Sequence, residues 1–377
     1  MITLRSLVEQ RTGLALRILI AEVLFVALFW SGSVDYKNTY SGTDLAQYRK
    51  IAQSAPSFDN TIPAPFAYRI GVPWMVSVVS PNDDASGFKL IQLVLVLALY
   101  IQFFRVLKLY GTHESTALII ASTALWNPYL GEFLLFNPFQ AGDTCAYLLM
   151  LIALEGFKRN SVAVFAVALL LGATVRETTM LIVPAIVLAE LSPIKKRLFF
   201  LAAALPSMAM YVFIRSMVPI GNPDWSILST LVSYAPEVAS VERWGRLVVN
   251  TCAPLSLLFG AFAWRERTTR WFVTEESYLA AAIVACSFLG GDVERLAAPV
   301  TILLLIIFRS SLERCLDYAP FRYLLAIGIV FCSLHFLYAR YTILPKMVYY
   351  GGAVFFCGVV LWTGLRAAQN RTPELTT

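Results

Sequence analysis

Apolar residues run along this chain in long uninterrupted stretches, at about 14–33, 88–107, 115–135, 143–157, 161–175, 178–192, 198–216, 246–264, 275–290, 297–309, 321–338 and 345–366. Neither the alternation of a half-buried strand nor the one-sided stripe of a surface helix separates them; short polar islands do. Stretches approaching ~20 apolar residues predict helices immersed in lipid, where each segment must satisfy its own backbone hydrogen bonds. The pattern predicts an all-α polytopic membrane protein of about twelve transmembrane helices. One further apolar run, 65–80, carries Arg69 and Pro73 and has a proline beside each end, Pro65 and Pro81. It reads as a helix lying at the interface or dipping partway in, within a first outer loop covering 34–87.

Composition agrees with that class: 58% of the 377 residues are hydrophobic and 14% charged, against roughly 25% charged in soluble domains. The formal net charge of +6 needs no nucleic-acid partner, because cytoplasmic loops of membrane proteins collect Lys and Arg. With 65–80 not spanning and the N-terminus inside, every short inner turn holds a basic pair or triple: Arg105 and Lys108, Lys158 and Arg159, Lys195 to Arg197, Arg265 to Arg270, Arg309 to Arg322. Were 65–80 a span, the later clusters would face outward. Both termini are therefore expected on the cytoplasmic side. The basic N-terminal segment lacks a small-residue cleavage site after its apolar run and reads as a retained first span. The six cysteines form no CxxC pair and read as packing residues. The chain divides into 1–216, which includes the first outer loop, and 217–377, which opens with an outer loop over 217–246.

That topology gathers separate polar islands on one face. Asp44, Tyr48, Tyr68 and Arg69 lie in the stretch Tyr40 to Pro81; Asp143 follows Asn137-Pro138-Phe139-Gln140; Arg176 and Glu177 follow one span; Asp292 and Arg295 precede another. Ionisable groups at a membrane are costly and face a polar cavity or a partner.

Asp44 with Tyr48 four residues on, PFAYRIGVPW (65–74), VRET (175–178) and GDVERLAAP (291–299) together resemble bacterial members of the GT-C class of glycosyltransferases. The resemblance implies a polytopic fold, a polyprenyl-phosphate sugar donor, a glycan or lipid acceptor at the cell surface, and residence in the bacterial inner membrane. It also implies a catalytic base in the first outer loop, which here is Asp44. Some members place two acidic residues close together in that loop, whereas Asp44 stands alone and Asp59 lies well beyond it. A divalent metal is left open, with no ligands assigned, and no other cofactor is indicated.

The chemistry has its own requirements. Sugar transfer from a lipid phosphate needs a base for the acceptor hydroxyl and cations on the departing phosphate, for which the planar arginine fork suits two oxygens at once. Asp44 supplies the first; Arg69, Arg176 and Arg295 supply the second; Tyr48, Tyr68, Glu177, Asp143 and Asp292 complete the expected substrate surface. Each has a plainer alternative. Asp44 and Asp143 are good helix caps, Arg69 could reach lipid headgroups, Arg176 and Glu177 could brace helices, and Asp292 with Arg295 could be an ion pair. Glu22, inside the first span, should face the bundle. His113 and His335 lack metal-ligand spacing, and no Walker, GxGxxG or GxSxG sequence is present. The rival class is a transporter or flippase of a lipid-linked sugar or other anion, with intramembrane charges lining its path.

Overall fold

A computed structural model describes residues 18–28, 30, 44–59, 61–218, 232–233, 236, 238, 240–265, 274–288, 293–333 and 346–369. Among these every regular element is helical. Helix α1 covers Ile18–Leu28. Helix α2 (Asp44–Ser54) and a 3-10 turn at Phe66–Tyr68 lead into α3 (Gly71–Val79), then α4 (Asp84–Leu109) and α5 (Glu114–Leu125). A π-turn at Pro128–Glu132, α6 (Phe133–Phe136) and a 3-10 turn at Pro138–Gln140 precede α7 (Ala141–Lys158) and α8 (Val162–Val175). After a 3-10 turn at Glu177–Leu181 come α9 (Ile182–Leu188) and α10 (Ile194–Met217). The second part holds α11 (Val241–Cys252), α12 (Ser256–Arg265), α13 (Glu275–Ser287), α14 (Val293–Ile307), α15 (Arg309–Leu316), α16 (Ala319–Ser333) and α17 (Lys346–Gln369).

Local chemistry sets the boundaries. The Asp83 side chain accepts from the Ser86 amide and starts α4. Asn127 accepts from the amides of Tyr129 and Leu130, with Pro128 directly after it; the apolar run expected to cross as one span at 115–135 is thereby bent through 69°. The run expected at 246–264 is likewise divided, because Pro254 lacks the amide that would continue α11 into α12. At the tight α7–α8 corner Asn160 takes φ 58°. A Cβ on Gly156 would lie 2.8 Å from the Phe165 amide nitrogen, so the helices of this corner meet backbone to backbone only at glycine.

By length and apolarity three helices qualify as membrane spans among the described residues, α4, α10 and the 347–369 portion of α17; counting each bent pair as one span gives five. About twelve were expected. The difference arises because many apolar runs end early at polar or proline-bearing breaks: α1, α8, the 177–188 segment and α16 are apolar but shorter than a full span. Helix α3 has nine residues, about 14 Å of helix against a hydrocarbon thickness of ~30 Å, too short to cross. The apolar helices are compatible with membrane insertion.

Helix α4 packs on α3, α5 and α7; α7 pairs with α8, and α8 with α10. Polar side chains tie these faces. Gln92 donates to Thr144 Oγ1 (2.9 Å) and the Leu134 carbonyl (2.8 Å), and Gln102 to Glu155 (2.5 Å). Glu22 does face the bundle, accepting from Tyr100 at 2.8 Å and from Ser122. Ties of this kind contribute about 0.6 kcal/mol each inside a bilayer, so they set register more than stability. The parts 1–216 and 217–377 meet where α9 packs on α13 and where Lys158 bridges Glu275 (2.7 Å) and Glu276 (3.0 Å).

Candidate functional site

Because neighbouring helices alternate in direction, one end of the bundle collects the start of α7, the ends of α8 and α10, and the start of α14. Asp143 lies in the first turn of α7, Arg176 directly follows α8, Arg215 is in the last turn of α10, and Arg295 is in the first turn of α14. The first loop adds Arg69, which ends the 3-10 turn at Phe66–Tyr68.

Two carboxylates organise these arginines. Glu177 accepts from Arg69 Nη2 at 3.3 Å through one oxygen and from Arg215 Nη2 at 3.4 Å through the other. Asp143, 1% exposed, pairs with Arg176 Nη1 and has Arg295 Nε at 3.8 Å. Arg176 takes an extended backbone, φ −164° and ψ 140°, so the consecutive side chains of Arg176 and Glu177 serve different partners. The two groups differ in access. Side chains of Arg69, Glu177 and Arg215 are 15%, 27% and 24% exposed, whereas Arg176 and Asp143 are buried. A ligand arriving from outside meets the Glu177 group.

Aromatic rings hold that group in place. The Arg215 guanidinium lies 4.5 Å from the Tyr68 ring centre and 4.4 Å from that of Tyr211. Arg69 Nη1 donates to Tyr48 Oη at 3.4 Å, and Tyr48 meets Phe66 edge to face at 5.6 Å. Tyr147 donates to the Arg295 carbonyl at 3.0 Å, fixing the start of α14 against α7. Gln47 Oε1, Arg69 Nε and Thr178 Oγ1 are buried side-chain atoms with no hydrogen-bond partner. Orphaned buried polar atoms are uncommon; of these, Arg69 Nε belongs to the site itself and Thr178 directly follows Glu177.

Asp44 is the first residue of α2, half-buried, with no hydrogen bond or ion pair among the described residues. It stands one helical turn before Tyr48 and shares its face. Leu45 beside it packs on Phe139 and Phe136, bringing the start of α2 to the turn that precedes Asp143. Asp59 is used locally: the Thr61 amide (2.8 Å) and hydroxyl (2.7 Å) donate to it and hold its carboxyl below the usual range. Arg49 pairs with Asp84 at 2.8 Å. Asp292 lies outside the described residues. Among those described, no group of three or more His, Cys, Asp or Glu is placed to hold a metal ion.

An apolar groove of about 890 Å³ lies between α3, α4 and α10. Ile70, Trp74, Val94, Met210, Phe213 and Ile214 are among its walls, and Gly71 and Thr174 also border it. Three of these positions stand within two residues of site arginines: Ile70 beside Arg69, Ile214 beside Arg215, Thr174 two before Arg176. Val78 and Val94, 81% and 56% exposed, mark its open side.

Reading the sequence alone singled out Asp44, Tyr48, Tyr68, Arg69, Asp143, Arg176, Glu177 and Arg295, and the structure brings them to one end of the bundle. Arg215 and Tyr211 were missed because they fall inside the apolar run at 198–216. The available signal was the position of Arg215 at the C-terminal end of that run, level with the other islands. Comparison of the chain with protein-family models, with curated proteins and with solved structures found no match.

Proposed function

We propose that this chain is a membrane glycosyltransferase that takes a sugar from a polyprenyl-phosphate donor and transfers it to a glycan or lipid acceptor at the outer face of the bacterial inner membrane. The observation that carries this reading is the apolar groove whose wall residues Ile70, Ile214 and Thr174 stand within two residues of Arg69, Arg215 and Arg176. A ligand suited to both is an anion on a long apolar tail. The tail comes from lipid rather than water, so its transfer adds little affinity of its own. Recognition therefore falls to the charged head, where arginine forks pair with phosphate oxygens.

In this reading the carboxylate of Asp44 accepts the proton of the acceptor hydroxyl as that oxygen bonds to the anomeric carbon. The bond from the anomeric carbon to the phosphate oxygen breaks, and its electron pair leaves on the lipid phosphate. Arg69 and Arg215 stabilise that developing charge from fixed positions, in surroundings that exclude much of the water. Glu177 orients both guanidinium groups. Asp143, Arg176 and Arg295 hold the ends of α7, α8 and α14 so that this geometry persists. A single displacement of this kind inverts the anomeric configuration.

A transporter or flippase of a lipid-linked anion would use the same groove without cleaving anything. Against it, Lys158, Glu275, Glu276, Tyr110 and Arg309 join α4, α7, α13 and α15 at the opposite end of the bundle, and the groove borders the bundle from the side rather than through its axis. Purified protein incubated with a panel of radiolabelled polyprenyl-phosphate sugars should release polyprenyl phosphate in detergent when the acceptor is supplied. Vectorial movement of intact lipid-linked sugar in proteoliposomes, with no bond cleavage in any combination of donor and envelope acceptor, would overturn the enzyme reading.

A further inference from the structure

At the end of the bundle opposite the site, the second part of the chain presents a surface that sugar transfer does not use. Helix α15 leaves the α14 axis through a 69° bend and buries Leu312, Cys315 and Leu316 while Arg314 stays exposed. Helices α12, α15, α16 and α17 meet around Gly364. The Cys315 thiol donates to its carbonyl at 3.5 Å, and a Cβ there would lie 2.7 Å from Leu258 and 3.3 Å from Phe321. Arg265, Arg322 and Arg366, near this junction on α12, α16 and α17, are all exposed, and no carboxylate pairs with them among the described residues. At the same end Arg105 and Arg159 differ, both being bound to Glu155.

The three arginines are interleaved with exposed aromatic rings: Trp264 is 72% exposed, Tyr323 71% and Trp362 55%. Arg366 lies over the Trp362 ring at 4.1 Å. Stacking occupies the face of a guanidinium and leaves its N–H edge for phosphate oxygens. Large amphipathic rings settle at the level of lipid headgroups, and basic side chains there attract anionic lipid.

We propose that Arg265, Arg322 and Arg366, with Trp264, Tyr323 and Trp362, form a docking surface for anionic glycerophospholipid headgroups, separate from the substrate groove. The rings set the depth of the C-terminal helices in the bilayer, and the arginines collect the phosphodiesters. Charge complementarity selects this partner: three guanidinium groups with no paired carboxylate among the described residues, beside exposed membrane-seeking aromatics, match a negatively charged headgroup layer.

Native mass spectrometry of the full chain in detergent, titrated with phosphatidylglycerol or with phosphatidylcholine, tests this. Phosphatidylglycerol should bind more tightly, and raising the salt should weaken it while leaving phosphatidylcholine unchanged. Arg366→Gln should weaken phosphatidylglycerol binding about fivefold, and the Arg265→Gln, Arg322→Gln, Arg366→Gln triple variant by more than about tenfold. Arg105→Gln removes the same charge at the same end and should change binding by less than about twofold. Excess glycerol phosphate should not displace the lipid. Equal effects of Arg105→Gln and Arg366→Gln would reduce the surface to bulk charge, and equal binding of both lipids by the wild type would overturn the proposal. The salt comparison on the wild type decides the matter should the triple variant fail to fold.

Discussion

Arg69 and Arg215 share the two oxygens of Glu177, one guanidinium at 3.3 Å and the other at 3.4 Å. The first lies in the loop before α3 and the second at the end of α10, so one carboxylate joins the two elements whose neighbouring residues Ile70 and Ile214 line the groove. A lipid phosphate placed there would meet two forks already oriented by the same anion.

Replacing either arginine by lysine keeps the charge and removes the fork. Arg69→Lys and Arg215→Lys should leave folded, monodisperse protein and raise KM for the lipid-linked donor by about tenfold or more, given that charged hydrogen bonds contribute roughly 1.5–3 kcal/mol. Steady-state kinetics with membrane abundance measured in parallel checks this. Normal turnover by both variants at normal abundance would favour the transporter reading.

Asp44→Asn preserves size and capping ability but cannot accept the acceptor proton. The expected loss in kcat is about 10²–10⁴-fold, with donor binding and the melting temperature unchanged. Full activity would leave Asp44 as a helix start and require another base.

Val94 is 56% exposed and faces the groove, so a larger side chain there enters the groove rather than the packed interior. Val94→Trp should weaken use of long-chain donors several-fold and spare donors carrying only two or three isoprene units. Tail-length profiles of wild type and variant provide the measurement, and parallel losses at every length would separate the groove from the tail.

Asp143 and Arg176 form an ion pair in which both side chains are buried. Removing one member leaves an uncompensated charge, at a cost of about 3–5 kcal/mol. Asp143→Ala should therefore lower abundance and thermal stability sharply, while Asp143→Leu combined with Arg176→Met should recover much of the loss. Thermal unfolding in detergent, measured beside donor turnover, distinguishes this from a direct role in binding, for which the double variant would be stable and inactive.

How far the sequence reached is clearest at individual residues. Asp143, Arg176 and Arg295 could be placed at one end of a bundle because each borders an apolar run, and border position survives any packing. Their mutual pairing was not legible, since Asp143 precedes Arg176 by a whole helical hairpin and Arg295 comes from the second part of the chain. Arg215 was hidden for the opposite reason: it sits within a run that averages as apolar, and only its neighbours Tyr68 and Tyr211 show it as part of a polar site. Hydropathy did not reveal the bend at Asn127-Pro128 or the break at Pro254, because the apolar run continues through both.

The sequence by itself determined the helical, lipid-compatible character of the chain and the residues at the helix ends, because apolar run length and the missing amide of proline act locally. Tertiary structure alone decided which carboxylate each arginine meets and that an apolar groove opens beside them. Those depend on how α3, α4, α8 and α10 cross, down to the contact of Gly71 with Thr174, where a Cβ would come within 2.6 Å of the threonine hydroxyl. Contacts of that kind join segments about a hundred residues apart, and no local pattern encodes them.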